Sequence, residues 1–205
     1  TGFAHLFEHL MFEGSGHVPE GAIDAWLEEA ALVHADICAN ALDSKGEHFV
    51  AVYGEDRADA TLLLLADHGF LPVDHPLIRS TVDFVRRELA TGPYLHRYRA
   101  DDGVGGDEGA FVLCGFWLAE TLALQGQLDD ALEVFTAHID ASNHLGLLAE
   151  EINPASGELL GNFPQAFSHL GLINAAMRLD QALRFRDEGV HSVPHLIGGT
   201  PRRGG

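Results

Sequence analysis

Apolar residues along this chain recur at spacings of three and four, the period of an amphipathic helix. Residues 22–41 show it first: Ile23, Trp26, Leu27, Ala30, Ala31, His34, Ile37, Cys38 and Ala41 fall on one stripe. A loop over 42–55, with Gly46 and Gly54, follows. Asp56 can cap a second helix that runs to about His68 and closes at Gly69. Pro76 suits the first turn of a third helix, with Ile78, Val82, Val85 and Leu89 inward and Gly92 at its end. A fourth helix, about 108–125, is apolar nearly all round (Phe111, Val112, Leu113, Cys114, Phe116, Trp117, Leu118), which predicts burial on most sides. After Gly126 a fifth helix spans about 128–144, and a sixth enters at Pro164 and runs to about 187. No strand pattern competes, so the pattern predicts an all-α chain.

The connections alternate in length. Those after helices one, three and five are long, and those after two and four are short. In an up-and-down array of antiparallel helical hairpins every second connection lies at the same end. Loops 42–55, 93–107 and 147–162 are therefore expected to share one rim. That rim would gather Phe49, Tyr53, Arg97, Tyr98, Asp101, Asp102, Glu108 and Glu150.

The chemistry concentrates in the last of these loops, Gly146 to His169. Gly146, Pro154, Gly157 and Gly161 interrupt regular structure ahead of the sixth helix. Glu150 and Glu151 lie side by side within it. Adjacent side chains diverge, so at most one carboxylate is expected to enter a given cavity. The competing reading is two ordinary solvated acids.

Composition narrows the partners. With 205 residues and 46% apolar, the chain can bury a core. The formal charge of −19 argues against nucleic acid or an anionic membrane and is compatible with a neutral substrate. No apolar run approaches the ~20 residues of a membrane span. No secretory leader is visible, so a cytoplasmic location is expected. The chain starts at Thr1 without Met and reads as a fragment. Cys38 and Cys114 read as buried free thiols. The tail from 189 to 205, rich in Gly, Pro and Arg, reads as disordered.

Residues 1–20 carry a separate motif. His5-Leu-Phe-Glu8-His9 places two histidines one helical turn apart, where both could ligate zinc with Glu8 as general base. With its flanks, Gly2 to Ser15, it resembles the zinc motif of the pitrilysin (insulinase) metallopeptidases. That family supplies a third ligand, a Glu on a later helix. Glu88 falls at about that distance, but its neighbourhood, Val82 to Leu89, does not match.

A broader resemblance covers about residues 25–177. The segments His34 to Cys38, Tyr53 to Leu65, Gly69 to Pro72, Tyr98 to Asp102, Asp107 to Trp117 and the stretch through His169 resemble, in order, glycoside hydrolase family 15. The likeness is to the C-terminal half of its catalytic domain, in the glucoamylase-like and trehalase-like branch. It implies about half of an (α/α)6 toroid over residues 21–188, preceded by the metallopeptidase-like segment. It implies inverting hydrolysis of a neutral α-linked glucose oligosaccharide or trehalose, with no cofactor. Two carboxyl groups ~6.5–9.5 Å apart perform that reaction. By resemblance Glu150 is the general base and Glu151 the weaker candidate. Arg97 matches an arginine that grips sugar hydroxyls, and Tyr98, Glu108, Phe111 and Trp117 fall near the same wall. Aromatic rings can stack on sugars, although Phe111 and Trp117 fit core positions as well. Asp59 matches an aspartate of the family, and it also suits a helix start.

The family's general acid sits in a Trp-Glu-containing segment upstream of the matched region, and no such segment occurs here. The fragment is therefore expected to be inactive by the two-carboxylate route. Half a toroid would also leave apolar helix faces open to self-association. Two other readings stand beside this one: a zinc metallopeptidase fragment using His5, Glu8 and His9, and a non-catalytic helical interaction domain.

Overall fold

A computed structural model of the chain describes residues 19, 21–99 and 109–188. The motif His5, Glu8, His9, the loop acids Asp101 and Asp102, Glu108 and the tail from 189 lie outside the described residues. The elements in order are α1 (Ala22–Asn40), a 3-10 turn (Ala60–Leu63) continuing into α2 (Leu64–Asp67), α3 (Pro76–Leu89), β1 (Ala90–Thr91), β2 (Tyr94–Leu95), β3 (Ala110–Phe111), α4 (Val112–Leu124), α5 (Leu128–Asp140), β4 (Glu151–Ile152), β5 (Leu159–Leu160) and α6 (Ala166–Glu188). The fold is mostly helical, as the pattern predicts, and fits the partial helical toroid that the resemblance implies.

α4 is the centre. Ten of its thirteen residues are buried, which only a helix apolar on every side can satisfy. It packs along α5 and α6, and against α2 and the 3-10 turn. The α4–α5 crossing depends on Gly115, because any Cβ there would collide with the His138 ring. α3 shows how local sequence sets an element. Pro76 occupies its first turn, His75 Nδ1 accepts from Leu77 N at 3.2 Å, and Ile78, Val82, Val85 and Leu89 are buried.

Several boundaries differ from the sequence expectation. The second helix starts at residue 60, and its cap is Asp59, because Asp56 is engaged with His48 Nε2 at 3.0 Å instead. α4 starts four residues late because Ala110 and Phe111 are drawn into a sheet. α6 starts at Ala166, after a cis Phe163–Pro164 bond. Gly92 ends no helix; at φ +60° it turns the β1–β2 hairpin.

The strands correct the all-helical reading of the loops. β1 pairs antiparallel with β2, Ala90 opposite Leu95, and β3–β4–β5 form a second antiparallel sheet. Each strand is two residues long, too short for alternation to register in sequence.

The shared rim also needs correction at its first loop. Phe49 is fully buried with Ala41, Ala66 and Ile78, its N–H donating to Thr81 Oγ1 at 2.9 Å. Loop 42–55 folds back over α3. Tyr53 is tied to α1, its hydroxyl donating to Asp36 at 2.8 Å. α1 itself buries none of its residues, and Trp26, Leu27, Leu32 and Val33 are exposed. Among the described residues no helix is long and apolar enough to cross a membrane.

Candidate functional site

The site grows from the N-terminal end of α4. β3 leads directly into that helix and pairs with β4, Ala110 opposite Ile152 and Phe111 opposite Glu151; β4 pairs with β5. Glu150 precedes β4 and extends the ladder by one step on each side. Its carbonyl accepts from Val112 N at 3.0 Å, and its N–H donates to Asn162 O at 3.0 Å. The backbone of residue 150 is therefore fixed to the first residue of α4.

α6 holds the same loop from behind. Ser168 Oγ donates to Ala149 O at 2.7 Å, and Gln165 N donates to Leu148 O at 3.0 Å. His169 Nδ1 lies 2.7 Å from the Gln165 carbonyl, so Nδ1 carries the proton. Its Nε2 then accepts from Leu148 N at 3.3 Å. A glutamate held this way has few positions for its Cα.

The two adjacent carboxylates diverge, as expected of neighbours on extended backbone. Glu151 turns to Gly109, whose N–H donates to Oε2 at 2.8 Å. Glu150 turns to Asn162, which donates to Oε2 from its backbone N at 3.0 Å and from Nδ2 at 2.8 Å. Among the described residues Oε1 of Glu150 accepts no hydrogen bond. Gly161 makes room for this arrangement. Its φ is +72°, and a Cβ there would stand 2.8 Å from Glu150 Oε2. One carboxylate oxygen is thus clamped and the other is open.

The second part of the site follows α3. The β1–β2 hairpin abuts β3. Beyond it the Arg97 carbonyl accepts from Ala60 N at 2.8 Å, which ties this strand end to the 3-10 turn. The Arg97 side chain is exposed, with Cζ 5.6 Å from the Tyr98 ring centroid. It makes no ion pair among the described residues. Asp59 caps the 3-10 turn, its Oδ1 accepting from Thr61 N at 2.8 Å and Thr61 Oγ1 at 2.6 Å. Cys114, in the first turn of α4, feels both charges. Burial pushes its thiol up to about 12, Asp59 adds to the rise and Arg97 opposes it. The thiol stays protonated and is no nucleophile.

Arg97 and Glu150 both lie toward the N-terminal end of α4, the first within electrostatic reach of Cys114 and the second bonded to Val112. Tyr98 and Asp59 join them there. Phe111 packs against the main core. Trp117 lines a separate groove further down α4, with Leu64, Asp67, His68, Glu120, Thr121 and Asn174. Among the described residues no group of three His, Cys, Asp or Glu side chains could hold a metal. Sequence reasoning missed Asn162 and Gly161 as the clamp on Glu150; their signal was a Gly-Asn pair closing the loop of the two acids.

The family model for glycosyl hydrolases family 15 matches residues 15–177, starting after His5, Glu8 and His9. A trehalase of Thermoplasma volcanium is 40% identical over 171 residues, covering 83% of this chain and 27% of that protein. A trehalase of Mycobacterium tuberculosis is 42% identical over 160 residues, covering 77% of this chain and 23% of that protein. A solved wild-type glycosidase superposes with a TM-score of 0.67 at 24% identity, over 78% of this chain and 45% of that one. The chain spans about a quarter of the length of the curated relatives it matches.

Proposed function

Since the chain belongs to glycosyl hydrolases family 15, we propose that it is the base-bearing part of an inverting hydrolase of α-linked glucosides, with trehalose as substrate and Glu150 as general base. The observation that carries this reading is the clamp on Glu150. Asn162 fixes Oε2 with two donors; among the described residues Oε1 accepts no hydrogen bond and the Arg97 guanidinium, toward the same helix end, forms no ion pair. The names of the matched relatives support the choice of trehalose.

In this mechanism Glu150 Oε1 takes a proton from a water molecule. The water oxygen bonds to the anomeric carbon on the face opposite the leaving oxygen, and the glycosidic C–O bond breaks. A second carboxylic acid, assigned to a Trp-Glu-containing segment that the matched residues do not include, protonates the leaving oxygen. Arg97 donates to vicinal sugar hydroxyls, a task its several fixed N–H donors suit. Tyr98 flanks that guanidinium.

A substrate that needs no acid tests the base alone. α-D-glucosyl fluoride releases fluoride without protonation of the leaving group. The chain should release fluoride above the uncatalysed rate, and Glu150→Gln should lower that release by ~10²–10⁴-fold, the range of general-base contributions. Equal rates for the two proteins would contradict the assignment.

A further inference from the structure

Arg97 and Glu150 each have a sequence neighbour that reaches the same glycine. His96 precedes Arg97, Glu151 follows Glu150, and both side chains are bonded to the backbone of Gly109. On one side Glu151 Oε2 accepts from Gly109 N at 2.8 Å. On the other, the hydrogen bond between the His96 ring and the Gly109 backbone favours the charged ring, so the Gly109 carbonyl is the acceptor. The grip needs a glycine. A Cβ there would stand 2.8 Å from the Ile152 carbonyl oxygen and 3.0 Å from Glu151 Oε2.

The His96 ring is itself held in one state. The His96 backbone N donates to Leu89 O at 3.0 Å, which extends the β1–β2 hairpin by one step. Arg99 Nη2 donates to Thr91 Oγ1 at 2.8 Å, and this leaves the Thr91 hydroxyl proton for His96 Nε2, 3.2 Å away. Burial first, and then the Arg99 guanidinium, hold the ring below the ordinary imidazole range. A neutral ring whose Nε2 accepts carries its proton on Nδ1, and that proton goes to Gly109. The donors therefore run one way, from the Arg99 guanidinium through Thr91 and His96 to the Gly109 carbonyl. The Gly109 N–H then donates onward to the Glu151 carboxylate.

We propose that His96 and Glu151 are positioning residues: by gripping the two polar groups of the Gly109 backbone, they set the spacing between Arg97, which holds the sugar, and Glu150, which activates the water. The inference rests on the roles proposed above for Arg97 and Glu150. Those two side chains come from separate loops, and a misplacement of about 1 Å between reacting groups can cost ~10²-fold in rate. A shared glycine, bonded from both loops, limits that drift. The second acid of the Glu150–Glu151 pair then has a task of its own, although it touches neither sugar nor water.

The test compares the chain with three variants. His96→Phe keeps a ring without a donor, His96→Asn sets an amide nitrogen near the place of Nδ1, and Thr91→Val is an isosteric change at an exposed position of the hairpin. Two signals are read: hydrogen exchange of the Gly109 amide in protein isotopically labelled in glycine, and release of fluoride from α-D-glucosyl fluoride. His96 does not bond to the Gly109 N–H, yet His96→Phe should speed its exchange about tenfold. The same variant should lower fluoride release by ~5–10-fold, the worth of one hydrogen bond. His96→Asn should restore most of both. Thr91→Val lets the ring move its proton to Nε2, so it should shift both signals the same way by about twofold, and it reads the grip even where His96→Phe fails to fold. Parental Gly109 exchange in His96→Phe, or in Thr91→Val, would overturn the grip. Faster exchange with parental kcat and KM for fluoride release would overturn the positioning role, as would a His96→Asn protein no better than His96→Phe. Equal rates for the parent and Glu150→Gln would sink the general base and this role with it, a failure that Glu150→Gln alone identifies.

Discussion

Glu150 is bonded to Val112 at the start of α4, Glu120 lies about two turns further along that helix, and the protein treats them oppositely. Glu150 lies at the rim, with Oε2 clamped by two Asn162 donors and Oε1 accepting no hydrogen bond among the described residues. Glu120 lies in the groove below, more deeply buried and without a donor among the described residues. Burial pushes its carboxyl up to about 7, with Asp67 adding to the rise and Arg178 opposing it. A carboxylate becomes a tool when donors orient it and leave one oxygen free. Placed in a low-dielectric wall without donors, it keeps its proton to a higher pH.

The largest predicted effect concerns Glu120. The folded-state pKa of Glu120 is raised, so the folded protein binds its proton more tightly than the unfolded chain does. This contribution to stability is present at low pH and is lost as pH rises through about 7. Between pH 5 and pH 8 the chain should lose ~3 kcal/mol more stability than Glu120→Gln does. Urea unfolding of both proteins at the two pH values measures the difference. Parallel pH profiles would place Glu120 in a solvated setting like the rim and break the contrast.

Next is the clamp. Asn162→Ala removes one of the two donors to Oε2. Fluoride release from α-D-glucosyl fluoride should fall by ~10–50-fold, the worth of a hydrogen bond to a charged group. Asn162→Asp should fall at least as far, since it sets a like charge beside Glu150. A rate unchanged in Asn162→Ala would mean that the backbone alone orients the base.

The smallest effect belongs to Asp59. Asp59→Ala should cost ~1 kcal/mol of stability through the lost cap on the 3-10 turn, and Asp59→Asn should recover most of it. Thermal unfolding of the three proteins distinguishes these. Full loss in Asp59→Asn would show that the charge beside Arg97, not the cap, is what the rim requires.

Much of the scaffold was legible in the sequence where the cause is local. The inward set of α3, Ile78, Val82, Val85 and Leu89, follows from the helical period, and the central place of α4 follows from its lack of a polar face. The divergence of Glu150 and Glu151 follows from their adjacency. What escaped depends on distant pairing. Asn162 reaches Glu150 because β4 and β5 fold into a hairpin, and strands of two residues leave no periodic trace. Phe49 was expected at the rim because loop 42–55 is long, yet a partner 32 residues away, Thr81, draws it inward. Glu120 did leave a signal: it is the lone acid in a helix otherwise apolar on every side.

The account turns on whether Arg97 and Glu150 address one ligand. Calorimetric titration with the iminosugar 1-deoxynojirimycin, on the chain, on Arg97→Ala, on Glu150→Gln and on the double variant, tests this directly. The account predicts that each single substitution weakens binding by about tenfold or more and that the double variant loses less than the product of the two. Losses that multiply independently, or a single variant that binds as the parent does, would contradict a shared site.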